Sequence, residues 1–545
     1  MLFRFGTLVE DYGPYSYIRI LRTSHDYLTM TSKDIGSKQL THHYIIAIIL
    51  LITLIAGLLR LYKVGEHSLW FDEAASVNDV RRILSLPPHE ESGMFNFTLH
   101  ERMPPLYFLL LVPFYLLSQS EWTLRLLSVI AGILSIPLMY CLGTKIFNKS
   151  VGLVGALLLA FSPFHLYYSQ ELRPYSLFLL FSLLAFYISY LALEEDKVTY
   201  YLGMIAIFVL GIYTHLYMIF PLILLDLYFV LGWKTNLPHL RKWLLAHLMI
   251  AILCIPEFYL VLYHATRGNI NLVDYPPGIR SIAGTLYLFT FGRVFFPIKQ
   301  NLILLLVGAT ILGGLLLIGI WRIWKERTNQ QGRQSFQLFL AAAILYAVIW
   351  AVSMVIIPLF DEARVNYLIF LLPFFYLAIA KGWDDLSNPA LKSAVVLLAI
   401  VISLASIYPY FFEWDQVGKG DFRAAAGYVQ RNLVKDDFIY HTTNTSTLPF
   451  GYYLDWQSPQ IDLSLSDELT MNNKDRLWLV VFKQQGGASY SLSLLGQQGD
   501  SLKLQNDLGS VCTDAFSDPN YDLADFKTFP GKNDITVCLN VRNDY

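Results

Sequence analysis

The chain has 545 residues and a formal net charge of -2, and 55% of its residues are hydrophobic while only 15% are charged. Soluble globular proteins carry about 45–50% apolar and about 25% charged residues, so this composition excludes a soluble multidomain enzyme, a disordered chain and a fibrous repeat protein. It indicates a polytopic membrane protein. The charge gives no sign of nucleic-acid binding. The four cysteines are too few for a disulfide framework, although Cys512 and Cys538 could pair in an oxidising compartment.

Residues 1–42 are predicted to form a cytoplasmic leader. They hold no apolar core of signal-peptide length, so no cleavable signal is predicted, and Met30 is an alternative start. Residues 43–411 form the predicted transmembrane domain, with apolar runs near the roughly 17–25 residues that cross a bilayer. The sequence predicts 11 spans, or 13 if the short runs 105–118 and 282–296 also cross. The 11 predicted spans are 43–61, 122–144, 151–166, 174–193, 198–214, 216–232, 243–263, 300–320, 337–357, 365–380 and 393–411.

The Lys/Arg content of the short loops predicts how these spans are oriented. Twelve Lys/Arg in 48 residues lie in one set of loops, 145–150, 194–197, 233–242, 321–336 and 381–392. Only 6 in 51 residues lie in the opposite set, 167–173, 215, 264–299 and 358–364. Because cytoplasmic loops are enriched in Lys/Arg, the first set is predicted to be cytoplasmic. Both span counts are odd, so the N-terminus is predicted inside and the C-terminal tail outside.

Residues 412–545 differ in composition from the transmembrane domain and contain no run long enough to span. Helical spacing follows Asp421, and strand-like runs occur at 438–440, 477–482 and 535–541. The tail is therefore predicted to be a small extracytoplasmic α/β domain.

The long first outer loop, residues 62–121, holds a pair of acidic residues. Asp72 and Glu73 follow Trp70 and Phe71, two aromatic residues suited to the membrane interface. A carboxylate there could act as a general base, with a pKa raised by nearby apolar groups. Alternatively, Asp72 could cap a helix that starts at Ala74, with Glu73 in the first turn. The residues alone leave both interpretations open.

Three further outer turns hold candidates for binding a phosphate. Arg173 lies at the start of a span, and Arg suits bidentate phosphate binding, but it could instead snorkel to an aromatic belt. His215 lies in a tight turn and could bind a phosphate or shuttle a proton, although a turn-lining role is favoured. Arg364 lies on the outer side against the positive-inside bias. This position predicts a partner, either an anionic ligand or the neighbouring Asp361 and Glu362.

These candidates follow predicted spans on a single face, which could hold a lipid phosphate against an acid. The sequence contains no Walker-type phosphate loop, no His/Cys cluster with zinc spacing and no Gly-x-Ser-x-Gly nucleophile elbow. No metal site is predicted.

Several of these stretches resemble the polyprenyl-phosphate-sugar glycosyltransferases of the GT-C superfold. The nearest branch is the dolichyl-phosphate-mannose protein mannosyltransferase-like family, whose relatives include bacterial aminoarabinose and galacturonic acid transferases. The resemblance covers about residues 43–440 and departs from the pattern at Arg102-Met103, where many members have His. It rests on residues 70–74, 104–107, 121–126, 168–175, 213–215, 364–367 and 421–426.

The resemblance implies an all-α polytopic membrane protein of the GT-C type, with about 11–13 transmembrane helices and a small extracytoplasmic α/β C-terminal domain. It implies a multi-pass enzyme of the cytoplasmic membrane. That enzyme moves one hexose or pentose, with inversion, from a polyprenyl phosphate to a hydroxyl of a lipid, glycan or protein acceptor on the outer face. No nucleotide and no cofactor are implied, and a divalent metal ion stays an open alternative.

The resemblance also assigns roles to the candidate residues. Asp72 is the base that deprotonates the acceptor, and Glu73 beside it is the second candidate catalytic residue. Arg173 and Arg364 are candidates to neutralise the leaving phosphate. The remaining donor-binding candidates are Glu171, Tyr175 and His215.

Two other functions stay open. A transporter or flippase for a lipid-linked sugar would need a site at the bilayer midplane, whereas the ionisable candidates lie at outer span ends. A polymerase or ligase of cell-surface polysaccharide shares the outer-face site and uses longer donors. The residues do not identify the sugar, the acceptor or the oligomeric state.

Overall fold

The computed structural model describes residues 32–84, 103–266, 277–292, 302–355, 359–360, 364–413, 419–434, 437–441, 444–456, 460–462, 476–484, 521–529 and 533–542. Contacts group the chain into two units, residues 1–52 and residues 53–545. The first unit contributes the N-terminal part of the first helix, and all other described elements belong to the second.

The described residues before the tail form helices and the turns that join them. In chain order, its main helices are α1 Ser32–Leu61, α2 Phe71–Ile83, α3 Leu106–Leu117, α4 Glu121–Ile146, α5 Lys149–Ala160, α6 Pro163–Ser169, α7 Tyr175–Glu195, α8 Val198–Ile212, α9 Ile219–Leu231, α10 Trp233–Asn236, α11 Leu240–Leu253, α12 Ile255–Thr266, α13 Arg280–Phe291, α14 Leu302–Lys325, α15 Gln330–Val355, α16 Leu372–Asp384 and α17 Pro389–Phe412. A 3-10 helix, Val365–Leu371, leads directly into α16.

Among the described residues, seven helices are long and apolar enough to cross a membrane. These are His43–Leu61, Glu121–Ile146, Tyr175–Glu195, Leu302–Thr328, Gln330–Val355, Val365–Asp384 and Pro389–Phe412. The predicted all-α polytopic membrane fold is therefore confirmed.

The described residues hold fewer straight spans than the 11–13 predicted, because several predicted spans are bent or short. Two further helix pairs qualify together but are bent, Lys149–Ala160 with Pro163–Ser169 by 58° and Leu216–Leu231 with Trp233–Leu253 by 93°. The first bend falls at Ser162, whose extended ψ of 117° fits a residue that precedes proline. Two shorter apolar helices are Leu106–Leu117 and Val198–Ile212. The count is therefore seven to nine by length and composition.

Close backbone contact fixes the crossing of α14 and α16. A Cβ on Gly319 would lie 1.8 Å from the carbonyl oxygen of Ala378, and a Cβ on Gly382 would lie 2.0 Å from that of Leu315. Any side chain at either glycine would clash with the facing backbone. Small residues of this kind let helices approach closely in membranes.

The tail has the predicted α/β character. Its strands are β1 Phe438–His441, β2 Gln460–Asp462, β3 Arg476–Gln484, β4 Tyr521–Phe529 and β5 Asn533–Arg542, in the sheet order β2-β1-β3-β5-β4. β1 pairs in parallel with β2 and β3, whereas β5 runs antiparallel to β3 and β4. Helices α18 Phe422–Asn432 and α19 Asn444–Tyr453 complete the described part. Trp478 and Phe422 are buried in the core between helices and sheet.

Two smaller sequence predictions on the tail can be followed in the structure. Helix α18 begins directly after Asp421, where the spacing predicted a helix, and the Asp421 side chain caps it by accepting a hydrogen bond from the Ala424 backbone N–H at 3.1 Å. Cys538 is disulfide-bonded, while Cys512 lies outside the described residues.

Candidate active site

Asp72 lies in the first turn of α2 and does not cap it. The helix begins at Phe71, and Trp70 occupies the N-cap in an extended conformation without a side-chain cap hydrogen bond. The capping alternative for Asp72 is therefore wrong, because the helix starts three residues earlier than that alternative requires. The Asp72 side chain is half-buried, and among the described residues its carboxylate has no hydrogen bond or ion pair. This carboxylate is free to accept a proton from a bound molecule.

Glu73, the next residue, is completely buried and fully engaged. Its Oε1 accepts from Arg125 Nε at 2.8 Å and from the Leu172 backbone N–H at 2.9 Å. Its Oε2 accepts from Arg125 Nη2 at 2.8 Å and from Lys419 Nζ at 3.0 Å. Burial alone would raise the pKa of Glu73, but the charges of Arg125 and Lys419 outweigh it and lower the pKa to about 2. Both oxygens are occupied, so this acid ties four chain segments together.

Arg125 carries the same network back to the turn before α2. Its Nη1 donates to the carbonyl oxygens of Val64 and His67 at 2.7 and 2.9 Å. Arg125 is itself fully buried in α4. An arginine inside a predicted span must find partners in the protein, because an unpaired charge there is costly. This one fixes the segment that leads to Asp72.

The stretch Gln170–Arg173 joins three parts of the molecule. Gln170 Nε2 donates to the carbonyl oxygens of Arg60 and Tyr62, each at 2.8 Å, and so covers the C-terminal end of α1. The buried Glu171 accepts from Trp70 Nε1 at 3.0 Å. The predicted donor-binding residue Glu171 is thereby held beside the first acidic motif.

Arg173 lies directly against the turn that carries Asp72. Its Nη1 donates to the Asp72 carbonyl oxygen at 3.3 Å and to Ser76 Oγ at 3.4 Å. Its Nε is buried and has no hydrogen-bond partner among the described residues. Burial opposes the charge of Arg173, but Asp72 and Tyr175 more than compensate and raise its pKa. The guanidinium is therefore a permanent cation with hydrogen-bonding capacity left for an anion.

His215 is a buried, neutral side chain in this cluster. Its ring stacks on Phe178 with centroids 4.8 Å apart and an interplanar angle of 9°. Its Nδ1 accepts from the Tyr217 backbone N–H at 3.2 Å, so the ring proton belongs on Nε2. Burial and the charge of Arg173 lower the pKa of His215 to about 3. It can donate one hydrogen bond, but at neutral pH it offers no positive charge to a phosphate.

Two tyrosines connect His215 to the predicted Arg364 loop. Tyr175 and Tyr367 lie 5.8 Å and 6.0 Å from His215 between ring centroids. The Tyr367 backbone N–H donates to the carbonyl oxygen of Arg364 at 3.2 Å, and the Arg364 side chain is exposed. Asp361 and Glu362, its predicted partners, lie outside the described residues. The loop thus reaches the cluster through Tyr367.

Lys419 is a site residue that the sequence prediction missed. It lies between α17 and α18, is buried, and approaches Glu171 within 4.0 Å besides binding Glu73. Its Nζ lies 5.6 Å from the ring centroid of Tyr167 and 6.0 Å from that of Trp70. Burial lowers the pKa of Lys419 even though Glu73 and Glu171 oppose that shift. A lone lysine between two glycines gives no local signal for such a position.

The tail is fastened to the same region by further polar contacts. Arg423 donates to Glu121 Oε1 at 3.0 Å and to the Gly65 carbonyl oxygen at 2.9 Å. The Tyr453 hydroxyl donates to Glu121 at 2.8 Å and accepts from the Leu69 backbone N–H at 2.7 Å. These contacts fix the segment that leads to α2.

The described residues also bear on metal binding. No group of three or more His, Cys, Asp or Glu side chains in the described ranges could hold a metal ion.

The family model described as dolichyl-phosphate-mannose-protein mannosyltransferase matches residues 102–260. The predicted resemblance and enzyme class, a glycosyltransferase, are confirmed. A search of curated protein sequences finds no significant match.

Two solved structures of ArnT share the fold. ArnT from Cupriavidus metallidurans in the apo state is 13% identical with a TM-score of 0.55, over 90% of this chain and 97% of that chain. The same protein bound to undecaprenyl phosphate gives 14% identity and a TM-score of 0.54 over the same shares. The Archaeoglobus fulgidus oligosaccharyltransferase in the apo form is 13% identical with a TM-score of 0.49, over 81% of this chain and 69% of that chain. The chain therefore has the membrane fold of ArnT.

Proposed function

We propose that this protein transfers a single sugar, with inversion, from a polyprenyl phosphate to an acceptor hydroxyl, and that Asp72 is the general base. The observation that carries this proposal is an unengaged carboxylate beside an arginine with an unused N–H group. The neighbouring charges of Glu73, Arg125 and Lys419 are held by partners within the protein, whereas Asp72 and Arg173 keep capacity for a ligand. One base and one anion-stabilising group are the requirements of a direct displacement.

The proposed reaction follows from these two groups. The Asp72 carboxylate accepts the proton of the acceptor hydroxyl as its oxygen attacks the anomeric carbon. The bond between that carbon and the lipid phosphate oxygen breaks, and the phosphate leaves with the electron pair. Arg173 stabilises the negative charge that develops on the phosphate, and Arg364 in the last outer loop is proposed to assist it. Attack from the side opposite to the leaving group inverts the anomeric centre.

The other predicted donor-binding residues support this pair in different ways. Glu171 holds Trp70, and through it the start of α2. Tyr175 forms a side-chain hydrogen bond with Arg173 and so helps to hold the guanidinium in place. His215 offers one neutral N–H at the edge of the cluster. Glu73, predicted as a second catalytic acid, is better explained as a positioning residue because both of its oxygens are occupied.

Two observations favour a polyprenyl phosphate as the donor. ArnT, which shares this fold, has been crystallised with undecaprenyl phosphate. The Asp72–Arg173 site lies where α4 and α7 begin, at the ends of membrane-spanning helices, so a lipid phosphate at headgroup depth could reach it.

The Lys/Arg bias of the loops supports an outer-face site in the cytoplasmic membrane. Cysteines placed at Lys325 and Asp421 test this orientation with a membrane-impermeant thiol reagent. We expect labelling of intact cells at position 421 only. Labelling at position 421 only after permeabilisation would show that the orientation is the reverse of the one proposed.

A transporter is less well supported. Such a protein needs a midplane polar site, and the predicted span residue Asp226 is already engaged. It accepts from Trp243 Nε1 at 2.8 Å and pairs with His247 Nε2 at 2.9 Å. Asp226 therefore has a structural role, because it joins α9 to the neighbouring helix α11.

The activity can be tested with the purified full-length protein and mass spectrometry of the products. The donors are undecaprenyl phosphates that carry one hexose, one pentose, one amino sugar or an oligosaccharide, with unsubstituted undecaprenyl phosphate as a blank. We expect one donor to release free undecaprenyl phosphate and to add one sugar to the acceptor. Transfer only from an oligosaccharide donor would support the polymerase or ligase instead, and no transfer from any single-sugar donor would contradict the proposal.

A further inference from the structure

A second polar cavity lies at the opposite ends of the same spans. It has a volume of about 600 Å³ and is lined by the last turns of α4 and α7 and the first turn of α15. Its polar lining consists mainly of Lys145, Glu194, three tyrosines and three glutamines. None of these residues takes part in the Asp72 site.

The length of α4 separates the two sites. Glu121, at its first residue, binds Arg423 beside the Asp72 site, whereas Lys145 lies in its last turn. A helix of 26 residues is about 39 Å long. The cavity is therefore at the other membrane boundary, where three spans end at the depth of lipid headgroups. A donor phosphate bound at Arg173 cannot reach it.

The charges of the cavity select for a ligand without net charge. Lys145 Nζ and Glu194 form an ion pair that links α4 to α7, and their side chains remain 30% and 44% exposed. These are the two formal charges that line the described cavity. A simple anion would be attracted by Lys145 but repelled by Glu194. A ligand with a phosphate and an ammonium group can place each charge against its opposite.

Neutral groups of the lining complete such a site. The Tyr190 hydroxyl donates to Gln334 Oε1 at 3.2 Å, which leaves the amide N–H groups of Gln334 as donors for a phosphate. Gln331 Nε2 donates to the Phe147 carbonyl oxygen at 3.0 Å. The Oε1 of Gln331 then remains as a hydrogen-bond acceptor. It suits a primary ammonium group, which has three N–H donors.

We propose that this cavity binds the headgroup of a zwitterionic aminophospholipid of the phosphatidylethanolamine class, with the phosphate at Lys145 and the ammonium group at Glu194. The lipid would bridge α4, α7 and α15 at the membrane boundary remote from the transfer site. This inference does not depend on the proposed reaction.

The proposal can be tested by native mass spectrometry of the full-length protein released from nanodiscs that contain phosphatidylethanolamine, phosphatidylglycerol and phosphatidylcholine. We expect the wild-type protein to retain phosphatidylethanolamine preferentially. Lys145→Gln and Glu194→Gln should each reduce its retention about tenfold or more, since each removes one charge-assisted contact. Lys145→Arg should preserve retention because it keeps the charge.

Matched controls and contrary outcomes are available. Lys149→Gln and Glu195→Gln change exposed charges at the first residue of α5 and the last residue of α7, outside the cavity lining. Both variants should leave the retention of phosphatidylethanolamine unchanged. If Lys145→Gln and Glu194→Gln retained phosphatidylethanolamine as well as the wild type, the proposal would be overturned. A preference of the wild-type protein for phosphatidylglycerol would also overturn it. Equal retention of phosphatidylcholine would contradict the contact between Glu194 and a primary ammonium group. Competition by soluble phosphoethanolamine at lipid-like affinity would contradict a lipid-specific site.

Discussion

Asp72 and Glu73 are neighbours in the sequence, yet their carboxylates lie in opposite environments. Glu73 is buried and accepts four hydrogen bonds from Arg125, Lys419 and Leu172. Asp72 is half-buried, and among the described residues its carboxylate accepts none. Each acid has an arginine beside it. Arg125 donates its N–H groups to protein acceptors, whereas the Nε–H of Arg173 has no hydrogen-bond partner among the described residues.

Under the proposed assignment of Asp72 as the base, the difference keeps a reactive acid in place. The closed pair, Glu73 with Arg125, is a rigid support that fixes the backbone of α2. The open pair, Asp72 with Arg173, is carried on that support and remains available to a ligand. Catalytic groups must be held in position by residues that are themselves locked.

The sharpest way to break this comparison is Asp72→Asn. Asparagine keeps the size of the side chain but cannot take a proton, so turnover should fall by about 10²- to 10⁴-fold. Donor binding and thermal stability should change little, since the carboxylate has no described partner to lose. The measurement is kcat for sugar transfer together with the unfolding temperature. Glu66→Gln, an exposed acid of the same loop, is the matched control.

Near wild-type turnover in Asp72→Asn would remove the base assignment. It would leave the glycosyltransferase function resting on the family match and the shared fold.

Arg125→Met should break the closed pair. It leaves Glu73 buried without its main partner, and breaking a buried ion pair costs about 3–5 kcal/mol. The free energy of unfolding measured in detergent should fall accordingly, and activity should fall because α2 loses its anchor. An unaltered unfolding free energy would contradict the supporting role of this pair.

Arg173→Ala should weaken use of the lipid donor without unfolding the protein. A hydrogen bond to a charged group contributes about 1.5–3 kcal/mol, so kcat/KM for the donor should fall by about tenfold to a hundredfold. Arg173→Lys keeps the charge and should recover part of this loss. If both variants use the donor as the wild type does, Arg173 is a snorkelling residue.

The pH dependence of stability distinguishes the neutral His215 from the ionised Glu73. The folded pKa of His215 is lowered to about 3 from an ordinary value of 6.5, so the unfolded chain takes up the proton first. The contribution of neutral His215 to the free energy of unfolding is complete above pH 6.5. It is lost as the pH falls below that value, by about 1.4 kcal/mol per pH unit. Glu73, with a pKa lowered to about 2 from 4.5, adds a similar loss only below pH 4.5.

Unfolding of His215→Gln measured between pH 7 and pH 5 checks this assignment. The variant should show a shallower loss of stability than the wild type over that interval. An identical pH profile for both proteins would show that His215 is not the buried neutral group that titrates there.

The smallest effect is expected for Arg423→Ala. This arginine is 43% exposed where it pairs with Glu121, and exposed ion pairs contribute about 0.2–1 kcal/mol. Stability should change within that range, and transfer activity should be retained. A loss as large as that of Arg125→Met would mean that the tail contact, and not the buried pair, supports the site.

Much of the fold was predictable because it depends on local properties of the chain. Apolar runs located the main spans, the Asp421 spacing located the start of α18, and alternating β-branched residues located β1, β3 and β5. The described residues hold seven to nine spans by length and composition where 11–13 were predicted, because hydropathy does not register bends. Ser162 bends one predicted span, and a 93° bend separates Leu216–Leu231 from Trp233–Leu253.

The sequence by itself determined which groups could do chemistry: Asp72, Glu73, Glu171, Arg173, Tyr175, His215 and Arg364 were all identified from residue type, from position at span ends and from resemblance. Only the tertiary structure decided how they differ. Whether a carboxylate is free or saturated depends on donors far along the chain, and Glu73 meets Arg125 from α4, Leu172 from the second outer turn and Lys419 from beyond α17. Residue spacing carries no information about such contacts, because they form only when distant helices pack together.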